Sequence, residues 1–301
     1  MSDDIILHNL NAPQKEAVTH TEGPLLVFAG AGSGKTRVIT HRIAYLIAKH
    51  DVRPENILAV TFTKKASEEM LDRINDLLGK LDISSDHRPM IGTFHSIGAL
   101  ILRREAMKVG LTPNFSIYDS DDSEGLIKDI MISMNLDIKQ TKPQVISWYI
   151  SAAKNDLVSP EEFSHNYSGF IEDIAGDVYK QYQKQLKAQN AVDFGDLLYL
   201  VAKLFLDDKQ VLEKYQNQYK YILVDEYQDT NKAQYVLIKE LAGKERNLCV
   251  VGDDDQGIYA WRGADIQNIL SFEKDFPEVK IVKLEQNYRS VGNVIAAAVA
   301  V

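Results

Sequence analysis

The sequence predicts an α/β fold: a parallel sheet flanked by helices, with an all-helical subdomain inserted into it. Three observations carry that expectation. Short apolar runs recur along the chain, residues 57–62, 221–224 and 247–251 among them, and read as strands buried on both faces, as a parallel sheet requires. Another run, residues 25–28, passes through the small-residue loop Ala29-Gly30-Ala31-Gly32-Ser33-Gly34-Lys35-Thr36 into a helical pattern over residues 37–49. After Gly110 the texture changes: residues 111–190 are polar, rich in Asp, Ser, Gln and Lys, and carry no strong strand run.

Composition sets the bounds. A chain of 301 residues suggests about two domains. Hydrophobic content of 45% and charged content of 26% suit a globular protein with an ample core. The net charge of −9 excludes a global field that attracts nucleic acid, so any such partner must use a local groove. Cys249 is the single cysteine and lies in an apolar run. A single cysteine excludes an intramolecular disulfide and a zinc cluster, and in an apolar run it reads as a small buried thiol. The acidic N-terminus lacks a signal-peptide pattern, and no apolar run is long enough to span a bilayer. The expected setting is cytoplasmic, with no membrane partner.

Asn11 and Pro13 open the first helix as N-cap and first-turn residue. Gln14 stands at capping-box spacing from Asn11, and a capping role and a ligand role are both open from spacing alone. The glycine loop comes next. Strand, glycine loop and helix in that order are the context of a phosphate-binding loop. Glycines let backbone N–H groups approach phosphate oxygens with no Cβ in the way. The helix N-terminus adds unpaired N–H groups and a positive dipole end. Lys35 would reach the β- and γ-phosphates, and Thr36 would offer its hydroxyl to Mg²⁺. The strict pattern has Gly where this chain has Ala29, and a small residue still makes the turn.

The run at 57–62 ends in Thr61-Phe62-Thr63, at the sheet edge where open α/β folds bind ligands. Phe62 reads either as core or as a base-stacking ring. A helix follows with Met70, Ile74, Leu77 and Leu78 on one face. Met90-Ile91-Gly92-Thr93-Phe94-His95-Ser96 repeats the order of strand, crest and helix, and His95 reads as structural or functional. Amphipathic helices are predicted over residues 119–134, 143–154 and 177–187. Lys180, Lys184 and Lys187 share helical spacing and form either a phosphate-facing strip or a solvated face. Residues 193–206 return to an apolar helix, with Phe194, Leu197, Leu198, Val201 and Phe205 on its core side.

The strand at 221–224 ends in Asp225-Glu226. Downstream of a phosphate loop, that pair reads as the second half of a nucleotide-hydrolysis site. Asp225 would hold Mg²⁺ beside Thr36, and Glu226 would orient and deprotonate the attacking water. Neighbouring strand residues face opposite sides, so Glu226 must lie where strand gives way to loop. The strand at 247–251 ends in Gly252-Asp253-Asp254-Asp255-Gln256-Gly257-Ile258-Tyr259-Ala260-Trp261-Arg262-Gly263. Gln256 could sense a γ-phosphate. Tyr259 and Trp261, beside Arg262, read as stacking platforms for bases or, for Trp261, as a loop anchor. The last strand, residues 279–284, precedes Gln286-Asn287-Tyr288-Arg289-Ser290. Residues 296–301 read as an uncapped helix start, a cut and not a natural terminus.

In family order, these motifs resemble the UvrD/Rep/PcrA family of superfamily 1 DNA helicases from Leu10 to Ser290. The resemblance implies that Gln14 contacts adenine. It makes residues 29–36 the Walker A loop, with Arg37 typical after it, so Ala29, Gly30, Ala31, Gly32, Ser33, Gly34, Lys35, Thr36 and Arg37 would line the nucleotide. Thr61-Phe62-Thr63-Lys64-Lys65-Ala66, Gly92-Thr93-Phe94-His95-Ser96 and Asp193-Phe194-Gly195-Asp196-Leu197 resemble its DNA-contacting motifs. That implies single-stranded DNA at Phe62, Thr63, His95 and Phe194. Val224-Asp225-Glu226-Tyr227-Gln228-Asp229 resembles the Walker B motif, with Gln228 linking the nucleotide and DNA sites. Residues 252–263 would couple γ-phosphate sensing by Gln256 to stacking by Tyr259 and Trp261. Tyr288 would stack on adenine, and Arg289 would act as an arginine finger.

The family's architecture implies a RecA-like domain from residues 1–110 and 191–281, a helical insertion at 111–190, and the start of a second RecA-like domain at 282–301. Its chemistry implies ATP and Mg²⁺, with single-stranded DNA, duplex junctions and accessory repair or replication proteins as partners. The implied activity is ATP-driven 3′→5′ translocation and unwinding. The expectation for this chain is an N-terminal portion, without the family's second arginine finger, that cannot unwind alone. Two other classes stay open. One is a non-catalytic nucleotide- or single-stranded DNA-binding module. The other is a phosphate-loop ATPase not acting on nucleic acid, against which Tyr259-Ala260-Trp261-Arg262 argues.

Overall fold

A computed structural model of the chain describes residues 2–83, 87–253, 267–270 and 272–288. The chain forms two compact units. The first is drawn from Met1–Phe94, Glu213–Thr230 and Ile238–Val301, the second from His95–Leu212 and Asn231–Leu237. Eight strands occur among the described residues: β1 Leu25–Ala29, β2 Ile57–Thr61, β3 Met90–Thr93, β4 Ser116–Tyr118, β5 Ala191–Asp193, β6 Tyr221–Val224, β7 Leu248–Gly252 and β8 Lys280–Leu284.

The first unit is α/β. Its six strands are all parallel, in the order β3-β2-β6-β7-β1-β8. Strands covered on both faces cannot alternate apolar and polar residues. Accordingly β2 and β7 are buried along their whole length. Val27, Ala59, Leu223 and Val251 share one core with Ile39 and Ile43 of the helix Lys35–His50 and with Met70 and Ile74 of the helix Lys64–Gly79. β8 pairs with β1 from Leu25↔Lys280 to Ala29↔Leu284, so the sheet continues three residues past position 281.

The second unit is mainly helical. The helices Ser120–Ser133, Pro143–Asn155 and Phe170–Ala188 enclose Ile130, Ile146, Ile150, Val178 and Tyr182. The polar segment is not free of strand, because β4 pairs in parallel with β5. Three residues are too few to show a strand period. The helix expected from residue 177 begins at Phe170. Exposed Phe170 and Ile171 blur its periodicity, while Glu172 and Asp173 favour its N-terminus through the dipole. The helix expected from 193 begins instead at Asp196, after β5 and a turn. That offset corrects the reading of Phe194 as core. The ring sits on the turn and is 52% exposed, whereas Leu197, Leu198, Val201 and Phe205 are buried. Among the described residues, no helix is long and apolar enough to cross a membrane.

Candidate active site

In the first unit the carboxyl ends of β6, β7 and β1 stand side by side, which gathers three crests of the sheet. After β1 the loop turns through left-handed backbone at Gly32 (φ 75°) and Gly34 (φ 93°). Ser33 Oγ donates to the Gly30 carbonyl at 2.7 Å and closes the loop on itself. Gly34 is the N-cap of the helix Lys35–His50 and has no side chain to accept from its first turn. Those N–H groups stay open to an anion.

Gln14 packs under this loop and is 1% exposed. Its N–H donates to Asn11 Oδ1 at 2.9 Å, and its Oε1 accepts from the Asn11 N–H at 3.2 Å, so the capping box exists. Its Nε2 donates to the Ser33 carbonyl at 3.0 Å. A Cβ on Gly34 would lie 2.8 Å from that nitrogen, so the glycine is required for the contact as well as for its φ.

The acidic crest follows β6, which stops at Val224. The Asp225 N–H donates to the Val60 carbonyl at 3.0 Å and prolongs the ladder by one bond. Asp225 is buried, and its Oδ2 accepts from Thr36 Oγ1 at 3.4 Å. Burial first, then the charge of Glu226, pushes its carboxyl up to about 6. Glu226 has left-handed backbone, φ 49° and ψ 46°, a conformation that costs a non-glycine residue about 1–3 kcal/mol. It takes the side chain off the strand alternation. Glu226 Oε2 then accepts from Lys35 Nζ at 2.8 Å and from Gln228 Nε2 at 2.9 Å.

Gln228 is buried and also accepts, through Oε1, from the Asp253 N–H at 3.1 Å. It therefore bridges the ends of β6 and β7. A Cβ on Gly252 would lie 2.8 Å from Gln228 Oε1, so this bridge needs glycine there. Among the described residues, buried Asp229 Oδ1 has no hydrogen-bond partner, and burial and then Glu226 push that carboxyl up to about 6.

A cavity of about 450 Å³ opens over the loop, lined by Ala31, Gly32, Gly34, Lys35, Thr36, Arg37, Arg73 and Glu226. Its walls carry three cations and open amides, a setting for polyphosphate. Arg73 escaped the sequence reading because no motif marks it. Only the packing of the helix Lys64–Gly79 brings it to the cavity. Residues 286–288 run along the loop: the Tyr288 N–H donates to the Gly32 carbonyl at 2.9 Å, and Asn287 Nδ2 donates to the Ala31 carbonyl at 2.7 Å. Tyr288 Oη accepts from Asn11 Nδ2 at 2.8 Å, with its ring 54% exposed.

Of the aromatic candidates, Phe62 is half-buried and meets Phe94 edge-on, with centroids 5.5 Å apart. Thr63 caps the helix Lys64–Gly79 by accepting from the Ala66 N–H at 3.1 Å. In the second unit His95 and Phe194 are edge-on at 5.8 Å. Burial lowers the His95 pKa and favours the neutral ring. Lys180, Lys184 and Lys187 are exposed, and Lys180 Nζ lies 3.6 Å from Asp177 Oδ1. Gln256, Tyr259, Trp261, Arg262 and Arg289 lie outside the described residues.

A family model described as the UvrD/REP helicase N-terminal domain matches residues 10–277. The ATP-dependent DNA helicase PcrA of Bacillus subtilis (strain 168) is 53% identical over 293 residues, covering 97% of this chain and 39% of the relative. PcrA of Staphylococcus epidermidis (strain ATCC 12228) is 52% identical over 293 residues, with 97% and 40% covered. PcrA of Staphylococcus aureus (strain NCTC 8325) is 51% identical over 295 residues, again with 97% and 40% covered. The chain thus spans about two fifths of the length of these curated relatives.

Proposed function

Because this chain belongs to the UvrD/REP helicase N-terminal domain family, we propose that it binds and hydrolyses ATP as part of a 3′→5′ translocase on single-stranded DNA. The observation that carries the hydrolytic reading is the 2.8 Å contact of Lys35 with Glu226. Without nucleotide these two charges neutralise each other. A γ-phosphate offers Lys35 a stronger partner, and Glu226 is released to orient a water and take its proton. Arg37 and Arg73 add positive charge along the phosphates, and exposed Tyr288 offers a ring for the adenine.

Thr36 and Asp225 fit Mg²⁺: a hydroxyl and a buried carboxylate, both hard oxygens, suit a cation that takes its remaining ligands from phosphates and water. When bound, the ion neutralises charge on the phosphates. Asp225 must be ionised to take part, and the carboxylate is lost as pH falls through about 6. From pH 7 to 5 the ionised fraction falls about tenfold, and Mg²⁺ affinity in the presence of nucleotide is expected to fall in proportion. A Mg²⁺ titration at both pH values checks this. Asp225→Asn supplies the control, since the dependence it retains belongs to the nucleotide. Equal slopes for the two proteins would remove Asp225 from the site.

Phe62, Thr63, His95 and Phe194, together with Tyr259, Trp261 and Arg262, are the proposed contacts to single-stranded DNA. Gln228 is the proposed link from the nucleotide, since it bonds both Glu226 and the start of the crest that follows β7. For the whole protein, duplex junctions, accessory repair or replication proteins and a cytoplasmic setting are proposed. The test is hydrolysis of ATP by this chain with and without oligo(dT). The expected result is turnover that rises with DNA. Turnover indifferent to DNA, with no oligo(dT) bound, would favour an ATPase working elsewhere. Nucleotide binding without turnover would favour a non-catalytic module.

A further inference from the structure

The turn that carries Phe194 is held by more bonds than its length requires. The Asp196 N–H donates to Asp193 Oδ1 at 2.8 Å, and the Asp193 N–H donates to Asp196 Oδ2 at 3.1 Å, a reciprocal clasp across Phe194 and Gly195. Lys154, on the helix Pro143–Asn155, reaches both carboxylates. Its Nζ lies 2.6 Å from Asp193 Oδ2 and 2.8 Å from Asp196 Oδ1, with the side chain 1% exposed. From the helix Phe170–Ala188, Tyr182 Oη donates to Asp193 Oδ2 and Gln183 Nε2 to Asp196 Oδ1, both at 3.0 Å. A Cβ on Gly195 would come 2.9 Å from Lys154 Cδ, so the lysine stem and the turn are in close contact.

A buried ion network is weak evidence of stability, since well-packed apolar side chains often serve as well. Its use here is better explained by geometry. Two helices hold both aspartates of the turn, while the Phe194 ring between them is left 52% exposed beside His95. A ring on a fixed turn loses little freedom when a base stacks on it. The network carries two carboxylates and one ammonium, and burial keeps His95 neutral. Phosphates gain nothing from such a surface, whereas a base gains a π-face.

We infer that Lys154 is a positioning residue for single-stranded DNA, clamping the turn that presents Phe194 to a base. This rests on the DNA-binding reading above. The test uses the full chain and an oligo(dT) carrying one 2-aminopurine, whose fluorescence is quenched by stacking. Lys154→Met, which removes the charge and keeps the stem, is expected to bind about tenfold more weakly and to lose quenching. Phe194→Leu should do the same, and the double variant should be no weaker than Phe194→Leu alone. The slope of log affinity against log salt should stay that of the unaltered protein, because buried Lys154 touches no phosphate. Asp193→Asn, nearly isosteric, must move binding and quenching in the same direction, and it decides the matter if Lys154→Met fails to melt cooperatively. Unchanged quenching in a folded variant, or effects of Lys154→Met and Phe194→Leu that simply add, would overturn the inference and leave DNA binding standing. Absence of binding by the unaltered chain would overturn both.

Discussion

Glu226→Gln is expected to slow ATP hydrolysis by about 10²–10⁴-fold, the usual contribution of a positioned general base, with nucleotide binding retained. Glutamine keeps the shape and still accepts from Lys35 Nζ and Gln228 Nε2, which lie 2.8 and 2.9 Å from Oε2. It cannot take a proton from water. The neutral side chain also holds Lys35 less strongly, so nucleotide affinity should stay level or rise. Single-turnover hydrolysis and a fluorescent-nucleotide titration separate the two quantities. If both fell together, Glu226 would be organising the loop, and the base would have to be sought elsewhere.

Arg42→Met is expected to destabilise the first unit by at least about 3 kcal/mol. Arg42 is 1% exposed on the helix Lys35–His50. It donates to the carbonyls of Ala17 at 3.0 Å, Thr21 at 3.2 Å and His20, so it ties down the end of the helix Ala12–Thr19. Burial presses its pKa downward, but the three acceptors hold a charged fork where a lysine could serve only part of them. Methionine fills the stem's space and leaves those carbonyls without this donor. Urea unfolding should show a lower midpoint at unchanged m-value. Nucleotide affinity should fall too, because the same helix carries Gln14 to the phosphate loop. An unaltered midpoint would mean that water satisfies the carbonyls and that the clip is dispensable.

Much of the site was legible because it is local. The glycine loop, Lys35 and Thr36 occupy one turn, and Asp225 and Glu226 are neighbours. β1, β2 and β6 show themselves as apolar runs. The position of Glu226 beyond the strand followed from side-chain alternation alone. Phe194 was misread for the opposite reason. Apolar residues at helical spacing place it on a core face, but the helix starts two residues later and leaves it on a turn.

The sequence by itself determined the strands of the six-stranded sheet, the loop and the carboxylates, because periodicity, glycine freedom and adjacency act over a few residues. The tertiary structure alone decided which crests meet. Placing β7 between β6 and β1 let Gln228 bridge two strand ends, with Gly252 small enough to allow it. Helix packing brought Arg73 to the phosphate cavity and Lys154 under the Phe194 turn. Those contacts join residues tens of positions apart. Their partners are set by strand order and by which faces are buried, and no local pattern in the chain records either.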